Sequence, residues 1–115
     1  DAEGTTPLLM AARNGHSACV ALLLRWGANP LAIDNRGFSA VHLAAGGGHL
    51  SPIAQLHECG ARINVPNVDG ATPLILAARY NHIALVRELL RLGANPHVPD
   101  ARGWIALHHA ASAGN

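Results

Sequence analysis

The residues best equipped for chemistry are eight histidines, two cysteines and a run of three glycines. Histidine binds metals and moves protons near neutral pH. A metal site or a catalytic centre is therefore the first possibility to weigh. The spacings argue against both. No Cys-x-x-Cys or His-Glu-x-x-His pattern occurs, and these are the spacings that bring ligands to one ion. His57 and Cys59 stand two apart, so on a helix they point in different directions. Gly46-Gly47-Gly48 lacks the Lys and the hydroxyl that give a phosphate loop its charge and its metal ligand. There is no Gly-x-Ser-x-Gly elbow to carry a nucleophile. An enzyme is not expected, nor a bound metal, a cofactor or a small-molecule substrate.

The composition narrows the classes further. The formal charge is +1 with His neutral, too small a net field to point to nucleic acid or an anionic membrane. All eight basic residues are Arg. Arg pairs with carboxylates through two parallel hydrogen bonds, which Lys does poorly. Cys19 and Cys59 do not make a disulfide framework. No apolar run approaches membrane-spanning length. An intracellular protein, cytoplasmic or nuclear, is expected. Half the residues are apolar but only Trp26, Phe38, Tyr80 and Trp104 are aromatic. A thin layered core of Ala, Leu, Val and Ile suits that composition better than a ball packed around aromatics.

A strict period accounts for most of the histidines and glycines. Gly4, Gly37, Gly70 and Gly103 are each 33 residues apart. The pairs Ala11-Ala12, Ala44-Ala45, Ala77-Ala78 and Ala110-Ala111 keep the same step, as do His16, His49 and His82. Asp1, Asp34 and Asp100 open their units, with Asn67 in the third. The units run 1–33, 34–66, 67–99 and a truncated 100–115. Repeats of this length build stacked arrays.

Each unit reads as two short helices and a projecting turn. Thr6-Pro7 and Thr72-Pro73 are helix starts, where Thr caps free N–H groups and Pro suits the first helical position. Gly15, Gly48 and Gly114 end that helix by accepting a left-handed backbone. Val20, Leu23 and Leu24, like Val86, Leu89 and Leu90, give the second helix an apolar stripe. His57 falls in the slot of Leu24 and Leu90, where a core His needs a partner. Ser51 is the expected cap of the second unit's outer helix, and Trp26 is expected to pack on that layer.

The register of Gly-x-Thr-Pro-Leu, Ala-Ala, Gly-His and Leu-Leu-x-x-Gly-Ala resembles the ankyrin repeat along the whole chain. That resemblance implies an all-α solenoid of helix-turn-helix units with projecting hairpin loops. Its concave face is formed by inner helices and hairpin tips. It also implies that the Thr and His of the motif bond each other. Ser39 can do so with His42, whereas Ile105 cannot with His108, so the fourth unit should be looser. Asn64, eight residues after Leu56, has a spacing like that of ankyrin asparagines that become hydroxylated, although Arg62 replaces the usual acid.

The resemblance further implies which positions face a partner: those flanking the unit-opening Gly and the two after the Ala pair. Here the informative ones are Arg13, Asn14, Arg36, Phe38, Asp69, Arg79, Tyr80, Arg102 and Trp104. The small or short residues Ala2, Glu3, Gly46, Gly47 and Ala71 fill others. Ala71 should leave a shallow gap between Phe38 and Trp104. Aromatics and Arg are the types that anchor interfaces. The expected function is protein–protein interaction, as the recognition arm of a larger regulatory or scaffold protein. The expected partner is a protein or peptide with acidic residues and an apolar anchor. A regulatory domain within an enzyme or channel and a weak nucleic-acid binder are the alternatives. The array looks like a fragment of a longer one, since Leu8, Leu9 and Met10 resemble internal residues and array ends need polar faces.

Overall fold

A computed structural model of the chain describes residues 4–113. Asp1, Ala2, Glu3 and Gly114, given roles above, lie outside the described residues. The helices are α1 (Pro7–Arg13), α2 (Ser17–Arg25), α3 (Ala40–Gly47), α4 (Leu50–Glu58), α5 (Pro73–Arg79), α6 (Ile83–Arg91) and α7 (Ala106–Ser112). The odd-numbered helices stack on one another as an inner row, and α2, α4 and α6 form an outer row. The result is an all-α solenoid measuring 39 × 28 × 20 Å.

Local chemistry starts and stops the inner helices. Thr6 Oγ1 accepts from the Leu9 N–H at 3.2 Å and Thr72 Oγ1 from the Ile75 N–H at 3.3 Å. Ser39 Oγ does the same for the His42 N–H, while Ile105 offers α7 no such acceptor. Gly15 and Gly48 take positive φ after α1 and α3. The third unit has no glycine there. Asn81, with φ of 64°, fills the same role, because its short polar side chain tolerates the left-handed region. The glycine run does not fray: α3 continues through Gly47 and stops at Gly48. A Cβ on Gly48 would lie 2.8 Å from the His82 ring.

The core is a thin sheet of aliphatic side chains between the two rows. Leu9, Val20, Ile53, Leu56, Leu74, Leu85 and Leu89 are buried, with Ala12, Ala44, Ala45, Ala77 and Ala78 letting the inner helices approach. Three expectations are corrected. Leu90 is 43% exposed and Leu85 is buried in its place. His57, in the same slot, is exposed as well, whereas Leu24 is partly buried against the core. Ser51 is not the cap, because the cap position is taken two residues earlier by His49 and α4 begins at Leu50. Trp26 does not pack on the outer layer; it follows the end of α2 and is 83% exposed.

Imidazoles join the units. His49 Nε2–H donates to the Arg13 carbonyl and His82 Nε2–H to the Gly46 carbonyl, each at 3.0 Å. Both carbonyls lie at the ends of inner helices of the preceding unit, where no intrahelical donor remains. His42 is fully buried and works in the other direction. Its Nε2–H donates to the Ala71 carbonyl of the next unit at 3.1 Å. Its Nδ1 must then be the acceptor for the Ser39 N–H at 3.1 Å and the Ser39 hydroxyl at 2.9 Å.

A second proton on His42 would oppose the Ser39 N–H. Burial lowers its pKa below the ordinary histidine value, offset only in part by the carbonyls of Ala71 and Val65 and by the charge of Asp34. The unfolded chain thus takes up a proton at a pH where the folded ring still refuses it. Stability from this site is complete above about pH 6.5 and falls as pH drops below it. Ring-proton NMR should show His42 titrating below about 6.5, with the unfolding free energy decreasing over the same range. Titration of His42 at or above its ordinary value would contradict this account.

Candidate functional site

The hairpins that carry the proposed partner-facing residues are built alike. Asp34 Oδ1 accepts from the N–H groups of Arg36 (2.9 Å) and Phe38 (3.0 Å). Asn67 Oδ1 accepts from Asp69 (2.9 Å) and Ala71 (3.0 Å). Asp100 Oδ1 accepts from Arg102 (2.9 Å) and Trp104 (3.0 Å). Neighbouring hairpins are then tied by backbone bonds, from Val68 N–H to the Arg36 carbonyl and from Ala101 N–H to the Asp69 carbonyl. The tips are therefore fixed in relation to one another before anything binds.

This frame sets the side chains of the first and last hairpins in the same pose. The Arg36 guanidinium lies over the Phe38 ring at 5.2 Å, and that of Arg102 over the Trp104 ring at 4.8 Å. Such stacking holds a flexible cation in place. The rings also pack inward, Phe38 against His42 at 5.8 Å and Trp104 against His109 at 5.1 Å. Phe38 is half-buried by this packing, while Arg36, Asp69 and Arg102 are exposed. Ala71 leaves no gap between the two aromatics. It is fully buried, with its carbonyl accepting from His42 and from the Asn67 N–H.

The ends of the inner helices supply the rest. Arg13, Asn14 and Tyr80 are exposed and Arg79 is half-buried. Two grooves open here. One, of ≈ 320 Å³, is lined by Arg13, Phe38, Leu43, Gly46, Gly47, Leu76, Arg79 and Tyr80, with the His42 ring behind. The other, of ≈ 420 Å³, is lined by Asp69, Arg79, Asp100, Ala101 and Arg102. Arg79 belongs to both. Eight of the nine candidate residues thus line these grooves or stack on residues that do. Asn14 alone is outside them.

One residue of this region escaped the sequence reasoning. His109 stands in the register of Met10, Leu43 and Leu76, yet it is 3% exposed and its Nε2–H donates to Asp100 Oδ2 at 2.8 Å. Arg79 approaches the same oxygen at 3.9 Å. Burial opposes ionisation of Asp100. The Trp104 N–H, the His109 ring and the Arg102 N–H outweigh it and hold the carboxyl below the ordinary carboxylate range. The signal was present as an imidazole in an aliphatic slot. His108, for its part, lacks a hydroxyl partner as expected, but its Nδ1 still accepts from the Ile105 N–H at 2.9 Å.

Other candidates have structural employment. Asn64 bridges to the following unit, accepting from the Asn95 N–H at 2.8 Å and donating to the Gly93 carbonyl at 3.4 Å. Among the described residues no cluster of His, Cys, Asp or Glu is placed to hold a metal ion. No helix among them is long and apolar enough to cross a membrane.

Comparison with known proteins agrees with the fold. The model of the family described as ankyrin repeats (three copies) matches residues 1–67 and 41–115. The chain belongs to the ankyrin-repeat family, whose members are in general protein-interaction modules. The palmitoyltransferase ZDHHC13 of Homo sapiens and that of Mus musculus are each 53% identical to it over 38 residues, 33% of this chain. The probable palmitoyltransferase AKR2 of Saccharomyces uvarum is 50% identical over 42 residues, 36% of this chain. In each case the match spans only 6% of the relative's length.

Replacing His109 by Leu, the type found at its register equivalents, removes the ring from Asp100. The Asp100 carboxyl should then titrate closer to the ordinary range, seen in carboxyl-carbon NMR. No movement would mean that the pair is not what holds this carboxylate ionised.

Proposed function

We propose that the chain is a non-catalytic, intracellular binding module that holds an extended segment of a partner protein along its inner face. One observation carries this reading. The framework uses His42, His49 and His82 and its unit-opening Asp34, Asn67 and Asp100 in internal bonds, while Arg13, Arg36, Asp69, Tyr80 and Arg102 stand exposed on fixed tips and helix ends. Residues held in place but not needed to hold the fold are what an interface requires. The face has four Arg against the exposed Asp69 and the buried Asp100 among its described residues, which favours an acidic partner. Exposed thiols at Cys19 and Cys59 fit a reducing compartment.

A second reading is favoured by the relatives. Matches to proteins named palmitoyltransferases suit a module that serves a larger enzyme by choosing the protein it acts on. Both readings use the same face. Selection of displayed random peptides on the folded chain, followed by amide-shift mapping, tests it. Bound peptides should perturb Arg13, Phe38, Tyr80 and Trp104 rather than α2, α4 and α6. Replacing Phe38 and Trp104 together by Ala should weaken binding by about 2 kcal/mol or more. Arg36→Ala with Arg102→Ala, which spares the ring packing, should weaken it as well. Full binding by both pairs of variants would sink the proposal.

We further propose that the module works within a longer array. Leu107 is 70% exposed, although its register equivalents Leu8, Val41 and Leu74 are buried. Leu22 is exposed on α2 at the opposite end. These are seats for further units of the same kind. Appending designed terminal units with polar outer faces should raise the melting temperature and abolish apolar-dye binding. Undiminished dye binding would count against it.

A further inference from the structure

Gly46 is a glycine the fold does not need. It lies inside α3 and is not among the residues with positive φ. A Cβ built on it would meet only the Tyr80 ring, at 4.0 Å, an ordinary contact. Its neighbours differ. A Cβ on Gly47 would come within 2.7 Å of the His49 ring, and Gly48 has both a left-handed backbone and the His82 ring against it. Glycine within a helix costs roughly 0.5–1 kcal/mol relative to Ala. Position 46 bears that cost without a conformational or steric return.

What the missing side chain does provide is space. The register equivalents of Gly46 are Arg13 in the unit before and Arg79 in the unit after. An Arg at position 46 would cross the ≈ 320 Å³ groove that Phe38, Leu43, Leu76 and Tyr80 line. Gly46 and Gly47 line the same groove, and by register Arg13 and Arg79 join it from the units before and after, Arg79 also approaching the buried Asp100 at 3.9 Å. The groove's volume is at the small end of the ~300–1,000 Å³ typical of binding pockets, room for one large side chain.

We infer that Gly46 opens a slot for a single large apolar side chain of the partner, and that Arg13 and Arg79 read acidic residues on both sides of it. The inference rests on the inner-face reading above and specifies the partner's pattern. Packed helices lie about 8–10 Å apart, and an extended chain advances about 3.3–3.6 Å per residue. The acids should therefore stand about two or three residues before and after the apolar anchor.

Synthetic fluorescent peptides test this directly. The probe has a central Trp with Glu two and three residues to either side in a Ser background. Its controls carry Ala at the centre or Gln in place of Glu. The wild-type chain should bind the probe at least about tenfold more tightly than either control, a difference of about 1.4 kcal/mol. Gly46→Leu should lose at least as much, with its helical circular dichroism retained. Gly46→Ala should melt at a higher temperature than wild type, as expected of a glycine the fold does not require. Arg13→Gln with Arg79→Gln should erase the preference for Glu over Gln, and supplies the test should Gly46→Leu not fold. Equal affinity for the Glu and Gln peptides, unaltered binding by Gly46→Leu, or no binding of the probe overturns the inference. Amide-shift mapping separates the two levels. A probe that perturbs Arg36, Phe38, Arg102 and Trp104 but not Gly46 defeats the slot alone, and one that perturbs only α2, α4 and α6 defeats the inner-face reading too.

Discussion

An imidazole N–H that donates to a carbonyl of the adjacent unit is the interaction on which the array depends. A single unit of two short helices has too little core to stand alone, so stability must come from its neighbours. Apolar contact between units is non-directional and would tolerate sliding. The bonds from His42 to Ala71, from His49 to Arg13 and from His82 to Gly46 are directional and set the register of one unit on the next. The bonds from His49 and His82 also satisfy carbonyls that the helix ends leave over. His42 requires a buried, uncharged ring, and burial supplies that state.

The register so imposed determines what the surface can present. The hairpins are bound internally through Asp34, Asn67 and Asp100 and to each other through backbone bonds. Their tips therefore pay little ordering entropy when a partner arrives. The stacked pairs Arg36–Phe38 and Arg102–Trp104 extend this rigidity to side chains. In the fourth unit the frame is reinforced. His109 donates to Asp100, and Trp104 rests on the same ring. Ile105 gives that unit no hydroxyl cap, and the buried His109 adds a hydrogen bond to Asp100 found in no earlier described unit.

Much of this was legible in the residues, because a period of 33 shows position and role at once. The caps at Thr6, Ser39 and Thr72, the turns at Gly15 and Gly48 and the buried Ala pairs all follow from spacing and intrinsic preference. What was not legible depends on tertiary surroundings. Leu90 and Leu85 are both apolar, and only the tertiary packing of α6 decides which is covered. Trp26 reads as packing on the outer layer but is exposed, as is its register equivalent Cys59. Ala71 sits in a position that faces a partner by register, yet its small side chain sinks into the frame. Position 46 could be read as a helix end from the glycine run; its lack of any structural duty required coordinates.

The central claim is a division of labour between a framework that holds the units together and an inner face free to bind. A comprehensive substitution scan that scores folding and peptide binding separately, on the same library, tests it most directly. Substitutions at Ser39, His42, Gly48, His82 and Asp100 should lower folding, with binding lost only in proportion. Substitutions at Arg13, Arg36, Gly46, Tyr80 and Arg102 should lower binding while folding stays intact. If the residues that affect binding at constant stability lie instead on α2, α4 and α6, the account is wrong.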